Sequence, residues 1–176
     1  MKWVALFSQT GSEIYQVSEG LGRFPDGIIC NGQDFNKINT NLIGNAPIHF
    51  TNSKPTVDEY LELLPEDALV TMHGWLRIVP GEVCNKRTIY NGHPGDIVTY
   101  PELKGKDPQE RAWHLQHEYG GCVIHEAVAE VDAGEIVSYN KTKIQGLSLD
   151  DTFAKLHSLS VDMWIDFLSD KFNERN

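Results

Sequence analysis

The sequence has few cysteines, fewer basic than acidic residues, and no long apolar run. Its three cysteines, Cys30, Cys84 and Cys122, form neither a CxxC pair nor an even set, which favours reduced thiols over a disulfide framework. No apolar segment approaches the ~20 residues of a membrane span, and the apolar start of the chain is too short for a signal peptide. We therefore expect a cytoplasmic protein without a membrane partner.

The charge balance bears on the kind of partner. Lysine and arginine number 15 against 25 aspartates and glutamates, a formal net charge of −10. This balance leaves no broad basic surface for nucleic acid, so a small-molecule substrate suits the chain better. With 40% hydrophobic residues in 176, the chain can fill one core, and we expect a single domain over residues 1–176.

The first 22 residues predict a strand, a turn and a helix. The apolar run 3–7 is typical of a buried parallel strand, and the polar turn 8–12 follows it. Ser12 can cap the helix, and Gly20 and Gly22 can end it. The turn could leave free N–H groups for an anion at the start of the helix, but most such turns only connect two elements.

Further strands and helices alternate along the first half of the chain. Strands are predicted at 26–30, 47–50, 68–72 and 89–93. Thr56 and Glu59 match a capping box that starts a helix ended by Pro65, whereas residues 31–45 give no clear pattern. This alternation predicts an α/β fold, with a Rossmann-like, mostly parallel sheet covered by helices on both faces.

The second half of the chain predicts two helices and two more strands. Asp107 as N-cap and Pro108 at the first helical position indicate a helix that runs towards Tyr119 and stops at Gly120. Strands are predicted at 121–128 and 135–144, with Asp132 on the loop between them. A last helix begins at Ser148, with Asp151 three residues on.

Asn91, His93 and Asp132 are the candidate catalytic residues. Asn91 and His93 end a buried strand, where α/β folds collect their ligands. The residues alone also allow an ordinary loop histidine and an aspartate that satisfies a turn N–H. His114, His117 and His125 could suggest zinc, but histidines exposed to solvent on a helix explain His114 and His117 better, and we expect no metal.

The order of several short motifs resembles the folate-dependent formyltransferases, and among them those acting on glycinamide ribonucleotide (GAR). The matching pieces, in chain order, are Ser8 with Gly11-Ser12, the segment 74–80, Asn91-Gly92-His93-Pro94, His125, and Val131-Asp132-Ala133-Gly134. An Asn-x-His-Pro motif alone is weak. Followed 39 residues later (132 − 93) by the aspartate loop, it becomes specific.

The resemblance implies a formyltransferase fold and a role for each motif. It implies transfer of a formyl group from 10-formyltetrahydrofolate to a primary amine, with GAR as the best guess, and with Asn91, His93 and Asp132 as the catalytic residues. The residues implied to bind the folate are Leu76, Arg77, Ile78, Val79, Glu130, Val131, Ala133 and Gly134. Those implied to bind the acceptor are Gly11, Ser12, Glu13 and His125.

Two segments depart from the family pattern. Residues 95–101 replace the usual Ser-Leu-Leu-Pro, and Glu13 brings a carboxylate to the turn that would receive the acceptor's phosphate. Another small amine, such as an amino sugar nucleotide, is therefore an alternative acceptor. A catalytically silent folate-binding relative is a further alternative, and the chain is expected to be a monomer or a homodimer.

Overall fold

The computed structural model describes residues 1–174, which share one seven-stranded sheet. The strands are β1 (Trp3–Phe7), β2 (Gly27–Cys30), β3 (Ile48–Phe50), β4 (Leu69–Met72), β5 (Ile89–His93), β6 (Tyr119–Glu126) and β7 (Ile136–Lys143). Their order across the sheet is β3-β2-β1-β4-β5-β6-β7. The first five strands pair in parallel, and β6 and β7 add antiparallel pairs. The predicted α/β, mostly parallel sheet is confirmed.

Five helices accompany the sheet in the described part of the chain. They are α1 (Ser12–Leu21), α2 (Val57–Leu63), α3 (Gly81–Lys86), α4 (Pro108–His114) and α5 (Leu149–Asn173), with short 3₁₀ turns at Phe35–Lys37 and Pro101–Leu103. The second 3₁₀ turn lies in the departing region after β5. No helix within residues 1–174 combines the length and the apolar character needed to cross a bilayer.

Alternating residues of β1 divide the apolar core into two layers. Trp3, Ala5 and Phe7 join the layer that contains the α1 and α5 side chains, including fully buried Trp164. Val4 and Leu6 face the opposite layer, with Tyr60 of α2 and others. Since successive side chains of a strand point to opposite faces, a continuous apolar run is the pattern of a strand covered on both sides.

The sheet order places a crevice between β1 and β4. The connection after β1 leads to β2 on one side, whereas the chain later returns to β4 on the other side of β1. Such a reversal of strand order opens a crevice at the carboxyl ends of the strands, where α/β proteins bind ligands. The α1 amino terminus and the end of β4 therefore lie at the predicted location for a site.

Two details of α1 differ from the sequence prediction. Its N-cap is Gly11, in a left-handed conformation with φ of 71°, and Ser12 is instead the first helical residue. Gly20 lies inside the helix and does not end it. A Cβ there would stand 2.3 Å from Cδ1 of Ile165 on α5, so the close packing of the two helices requires glycine. Gly22 ends the helix as predicted, with a left-handed φ of 67°.

Helix α4 is shorter than predicted. It ends at His114, and Tyr119 already belongs to β6. Pro108 holds the first helical position, but the left-handed backbone of Asp107 (φ 53°) leaves its side chain without a capping hydrogen bond. The caps at Thr56 and Ser148 form as predicted, whereas α3 was not foreseen.

Candidate active site

The end of β5 and the β6–β7 loop bring the three predicted catalytic residues together. Asn91 and His93 lie on β5, whose antiparallel partner β6 pairs Asn91 with His125. The loop after β6 then returns Asp132 to the same edge, so that its Oδ2 lies 3.4 Å from Nδ1 of His93. Residues 41 positions apart (132 − 91) are thus brought to one place, where Asn91 and Asp132 both approach Nε2 of His125.

His93 is held on both sides of its ring. Its Nε2–H donates to the Leu103 carbonyl at 2.8 Å, while Nδ1 faces Asp132. Only 6% of the residue is exposed. Burial lowers the pKa of His93, and the Asp132 carboxylate and the Leu103 carbonyl offset part of that decrease. The charged form of this ring therefore depends on the acceptors that surround it.

The Asp132 carboxylate is shared among three groups. Oδ1 lies 3.1 Å from Nε2 of His125, and Oδ2 accepts a hydrogen bond of 2.8 Å from the Gly105 amide. Burial by itself would raise the pKa of this carboxyl, but the hydrogen bonds from His125 and Gly105 and the charge of His93 hold it below its usual value. Asp132 is therefore a carboxylate at neutral pH.

His125 lies behind this cluster and links its members. Its Nδ1 is 3.1 Å from the Glu126 carbonyl, so both ring nitrogens face acceptors. The Asn91 amide nitrogen stands 3.4 Å from His125 Nε2, which is long for a hydrogen bond. The Asn91 amide thus remains available to another acceptor. The assignment of His125 to acceptor binding stays a prediction, and its contacts suit a positioning residue.

The segment after β5 covers His93 and Asp132, two of the predicted catalytic residues. It contributes both the Leu103 carbonyl against His93 and the Gly105 amide against Asp132. Buried Asp96 anchors it, because its Oδ1 accepts from the Thr99 amide at 2.9 Å and from the Tyr139 hydroxyl at 3.0 Å. Of the residues that depart from the family pattern, Gly95 lies against the site, since a Cβ there would stand 2.8 Å from Nε2 of His93.

The predicted folate segments present apolar side chains beside the site. Leu76 and Ile78 are 63% and 68% exposed, although both are large and apolar. The Leu76 amide donates to Ser8 Oγ at 2.8 Å, and Arg77 Nε donates to the Ser53 carbonyl at 2.7 Å. These contacts fix the backbone while leaving the apolar side chains free to cover a flat ring.

The loop that carries Asp132 is the second predicted folate segment. Val131 is exposed, and the Ala133 amide donates to the Glu130 carbonyl at 3.3 Å. Gly134 lies so close to β6 that a Cβ there would stand 1.5 Å from the Glu126 carbonyl oxygen. Only glycine fits that approach, which fixes how the loop leaves the sheet. Contact of these residues with folate stays a prediction.

A cleft of about 520 Å³ opens at the α1 amino terminus, within the size range of small-molecule sites. Gly92 and Pro94, the neighbours of His93, form one side of it. The other lining residues are Gln9, Thr10, Gly11, Ser12, Glu13, His73, Gly74, Gln109, Phe153, Ala154, His157 and Ser160. The cleft thus extends from the predicted acceptor residues of the turn to the chain neighbours of His93, a predicted catalytic residue.

Glu13 is part of a network in this cleft that the sequence analysis missed. Its Oε1 lies 2.8 Å from Nδ1 of His73, and its Oε2 accepts from the Ser160 hydroxyl at 3.1 Å. His73 comes directly after β4, so its position at a strand's carboxyl end was the available signal. The pairing with Glu13, 60 residues earlier, leaves no local pattern.

His93 and His125 both face Asp132, whereas His73 and His117 have other partners. His125 contacts Asp132, His73 contacts Glu13, and His117 stacks on Tyr100 with ring centroids 3.8 Å apart. No group of three or more His, Cys, Asp or Glu residues within positions 1–174 is arranged to hold a metal ion.

Comparison with known proteins places this geometry in a family. The model of the formyl transferase family matches residues 33–165. A phosphoribosylglycinamide formyltransferase structure from Bacillus halodurans superposes with a TM-score of 0.82 at 19% identity, covering 99% of this chain and 97% of that one. The corresponding protein from Anaplasma phagocytophilum gives 0.80 at 20% identity, covering 96% and 85%.

A formyltetrahydrofolate deformylase structure from Pseudomonas syringae is also similar. Its TM-score is 0.75 at 17% identity, and the match covers 95% of this chain and 60% of that one. No curated protein sequence matches the chain. At these identities the structural likeness shows a shared fold.

Proposed function

Because the chain belongs to the formyl transferase family, we propose that it transfers a formyl group from 10-formyltetrahydrofolate to a primary amine. The observation that carries this proposal is the pair at the end of β5, where Asp132 Oδ2 lies 3.4 Å from His93 Nδ1 and Asn91 precedes His93 by two residues on the strand. These side chains are the types that such a transfer requires.

Asn91 and His93 serve in this proposal as hydrogen-bond donors. The folate co-substrate supplies an activated formyl carbon, and negative charge develops on its oxygen as the amine's nitrogen forms the new bond. Donors aimed at that oxygen stabilise the developing charge. The Asn91 amide, only weakly engaged by His125, and the His93 ring can provide them.

Asp132 controls the proton of His93. Its carboxylate favours the imidazolium that burial opposes, and the charged ring is the stronger donor. Asp132 can also hold a water that carries the amine's proton towards the folate nitrogen, from which the carbon–nitrogen bond breaks. In the present arrangement His93 donates to Leu103, so reaching a substrate oxygen requires the ring to exchange that partner.

The folate would lie between the two predicted segments. Exposed Leu76 and Ile78 offer apolar cover for the pterin ring, and backbone groups of residues 76–79 and 130–134 can hydrogen-bond its polar edge. A structure with a reduced-folate analogue tests this placement. Pterin located away from both segments would remove them from the proposed site.

GAR is the acceptor that the names of the neighbouring structures suggest. A second candidate is a primary amine without a phosphate group. The carboxylate of Glu13 favours it, because this side chain occupies the turn at the start of α1 and faces the cleft. Both candidates share the same donor and the same catalytic residues.

Folate-dependent turnover with a panel of amines tests the proposal. We expect loss of 10-formyltetrahydrofolate, followed by ultraviolet absorbance, only when a suitable amine is present. The panel contains GAR, amino sugars and amino sugar nucleotides. A protein that binds folate but formylates none of these amines would instead be a catalytically silent relative, and that result would contradict the enzymatic proposal.

A further inference from the structure

We propose that Glu13 makes the acceptor cleft select a hydroxylated primary amine that carries no phosphate group where it meets the α1 amino terminus. The proposal rests on the function proposed above and assigns the acceptor class of the same site. Glu13 is the specificity-determining residue in it, and His73 and Ser160 are the residues that position Glu13.

A directional chain of hydrogen bonds fixes Glu13. The indole N–H of Trp3 donates to Thr71 Oγ1 at 2.8 Å, and Thr71 Oγ1 lies 2.8 Å from Nε2 of His73. The Thr71 hydroxyl can therefore donate to Nε2, which leaves the proton of a neutral His73 on Nδ1, where it is donated to Glu13. Every member of the chain then has a hydrogen-bond partner, and the Nδ1–H of His73 holds Glu13 in place.

Glu13 is ionised in this arrangement. Burial by itself would raise the pKa of its carboxyl. The hydrogen bond from His73, the electrostatic attraction of His73 and His157, and the hydrogen bond from the Ser160 hydroxyl hold that pKa below its usual value. The side chain is 21% exposed. A carboxylate therefore faces the cleft at neutral pH.

The carboxylate cannot readily move away from the cleft. Its two oxygens have different partners, His73 on β4's end and Ser160 on α5. His73 is itself packed against fully buried Trp164, with ring centroids 4.5 Å apart. Rotating Glu13 into solvent would leave His73 without an acceptor in a buried position, which costs free energy.

The remainder of the cleft offers little to balance a phosphate. Its lining contains neither lysine nor arginine. The Ser12 amide, one of the free donors at the start of α1, already donates to Thr10 Oγ1 at 3.2 Å. Glu13 in the first helical turn also compensates the helix dipole. A phosphate here would therefore meet the Glu13 carboxylate, with His73 and His157 as the only basic side chains of the lining.

The same lining suits hydroxyl groups. Gln9, Thr10, Ser12 and Gln109 offer amide and hydroxyl side chains, and Glu13 is a strong acceptor for O–H donors. Phe153, 37% exposed at the cleft, presents an aromatic surface. Such a combination can hold a polyhydroxylated ring by its polar edge and its apolar face. A sugar-like amine fits this chemistry.

Binding of a matched pair of ligands tests the proposal. The pair is GAR and its 5′-dephosphorylated counterpart, which differ only in the phosphate and are titrated calorimetrically. We expect the wild-type protein to bind the dephosphorylated compound at least tenfold more tightly, about 1.4 kcal/mol. Glu13→Gln, which removes the charge and keeps the size, should reduce this preference to threefold or less. Glu19→Gln, at an exposed position of the same helix, should leave it unchanged.

Three outcomes would overturn the proposal. They are tighter binding of GAR by the wild-type protein, a preference that Glu13→Gln does not alter, and failure of both compounds to bind. Titration of the same proteins with a reduced-folate analogue separates this inference from the proposed function. Absence of folate binding in the wild-type protein would count against formyl transfer, whichever amine binds.

Discussion

Two histidine–carboxylate pairs lie at the ends of neighbouring strands, and they differ in how firmly they are held. His73 follows β4 and lies 2.8 Å from Glu13, whereas His93 ends β5 and lies 3.4 Å from Asp132. The second nitrogen of His73 meets a side-chain hydroxyl inside the core. The second nitrogen of His93 meets a backbone carbonyl of a covering segment.

We propose that this difference separates substrate recognition, by the His73 pair, from catalysis, by the His93 pair. The His73 pair is short, completed by Thr71 and packed on Trp164, so it holds a charge in one place. The His93 pair is longer, and Asp132 divides its oxygens between His125 and the Gly105 amide. A proton-transfer group needs partners that it can exchange. We therefore expect mutations in the two pairs to affect different measurable quantities.

Loss of the His93 pair should give the largest effect. We expect His93→Ala to lower kcat by roughly 100-fold or more, the scale of removing a donor to a developing oxyanion. Asn91→Ala and Asp132→Asn should each have effects of similar size, and the double variants should lose less than the product, because the residues act together. Steady-state kinetics measures this. Near wild-type turnover in His93→Ala would refute the catalytic assignment.

Loss of His73 should mainly reduce stability. His73→Ala leaves Glu13 with one partner fewer in a mostly buried position, so we expect the free energy of unfolding to fall by about 2–3 kcal/mol. Urea denaturation measures the change. The expected loss in kcat, below tenfold, contrasts with that of His93→Ala. A kcat loss as large as that of His93→Ala, in a protein that remains folded, would abolish the distinction between the pairs.

Gly92 connects the two pairs through Trp164. A Cβ at position 92 would stand 2.8 Å from the indole Nε1 of Trp164, the same ring that packs on His73. We expect Gly92→Ala to destabilise the protein by about 1–3 kcal/mol, as overpacked cores do, and to lower kcat by displacing Asn91 and His93. Trp164→Phe, which makes room, should make Gly92→Ala less costly in the double variant than alone. Additive effects in a double-mutant cycle would contradict this coupling.

The free energy of unfolding should fall as the solution becomes acidic. The His93 ring should contribute to this fall at a higher pH than the carboxyls of Glu13 and Asp132. The pKa of His93 is lowered from 6.5, so the folded protein binds fewer protons than the unfolded chain, and this contribution is lost as pH falls below about 6.5 towards the lowered pKa. Glu13 and Asp132, lowered from 4.5 and 3.8, act in the same direction at lower pH.

Denaturation of two variants across pH separates these contributions. His93→Gln should remove part of the loss that begins below about pH 6.5, and Glu13→Gln part of the loss that begins below about pH 4.5. Wild-type stability that increases on acidification through these ranges would show that the signs are wrong.

The sequence predicted the sheet and the proximity of His93 and Asp132 because their signals are local or ordered along the chain. The apolar run of β1, the cap at Thr56 and the polar end of β5 each depend on a few adjacent residues. The motif order then associated Asp132 with His93. No comparable signal links Glu13 to His73, since that pair depends on how β4 lies beside β1.

Errors at element boundaries have a physical origin as well. The turn pattern before Pro108 correctly marked the start of α4, but residues 115–118 carry no glycine or proline to mark its end. Gln116 there takes a left-handed conformation, with φ of 56°, which asparagine and glycine adopt more often than glutamine. Gly20 was predicted to end α1, but its lack of a side chain serves instead to let Ile165 of α5 pack against the helix.

The backbone at Asp132 restricts which residues evolution and engineering can place there. Its φ of 53° is left-handed, a conformation that glycine, asparagine and aspartate adopt with least strain. Of these three, only aspartate carries a charge. The backbone conformation therefore favours glycine or asparagine as replacements for Asp132, whatever the side chain does chemically. Asparagine has the same shape as aspartate and tolerates the same backbone conformation. Related proteins that no longer carry out the reaction should therefore often have asparagine at this position and keep the shape of the loop.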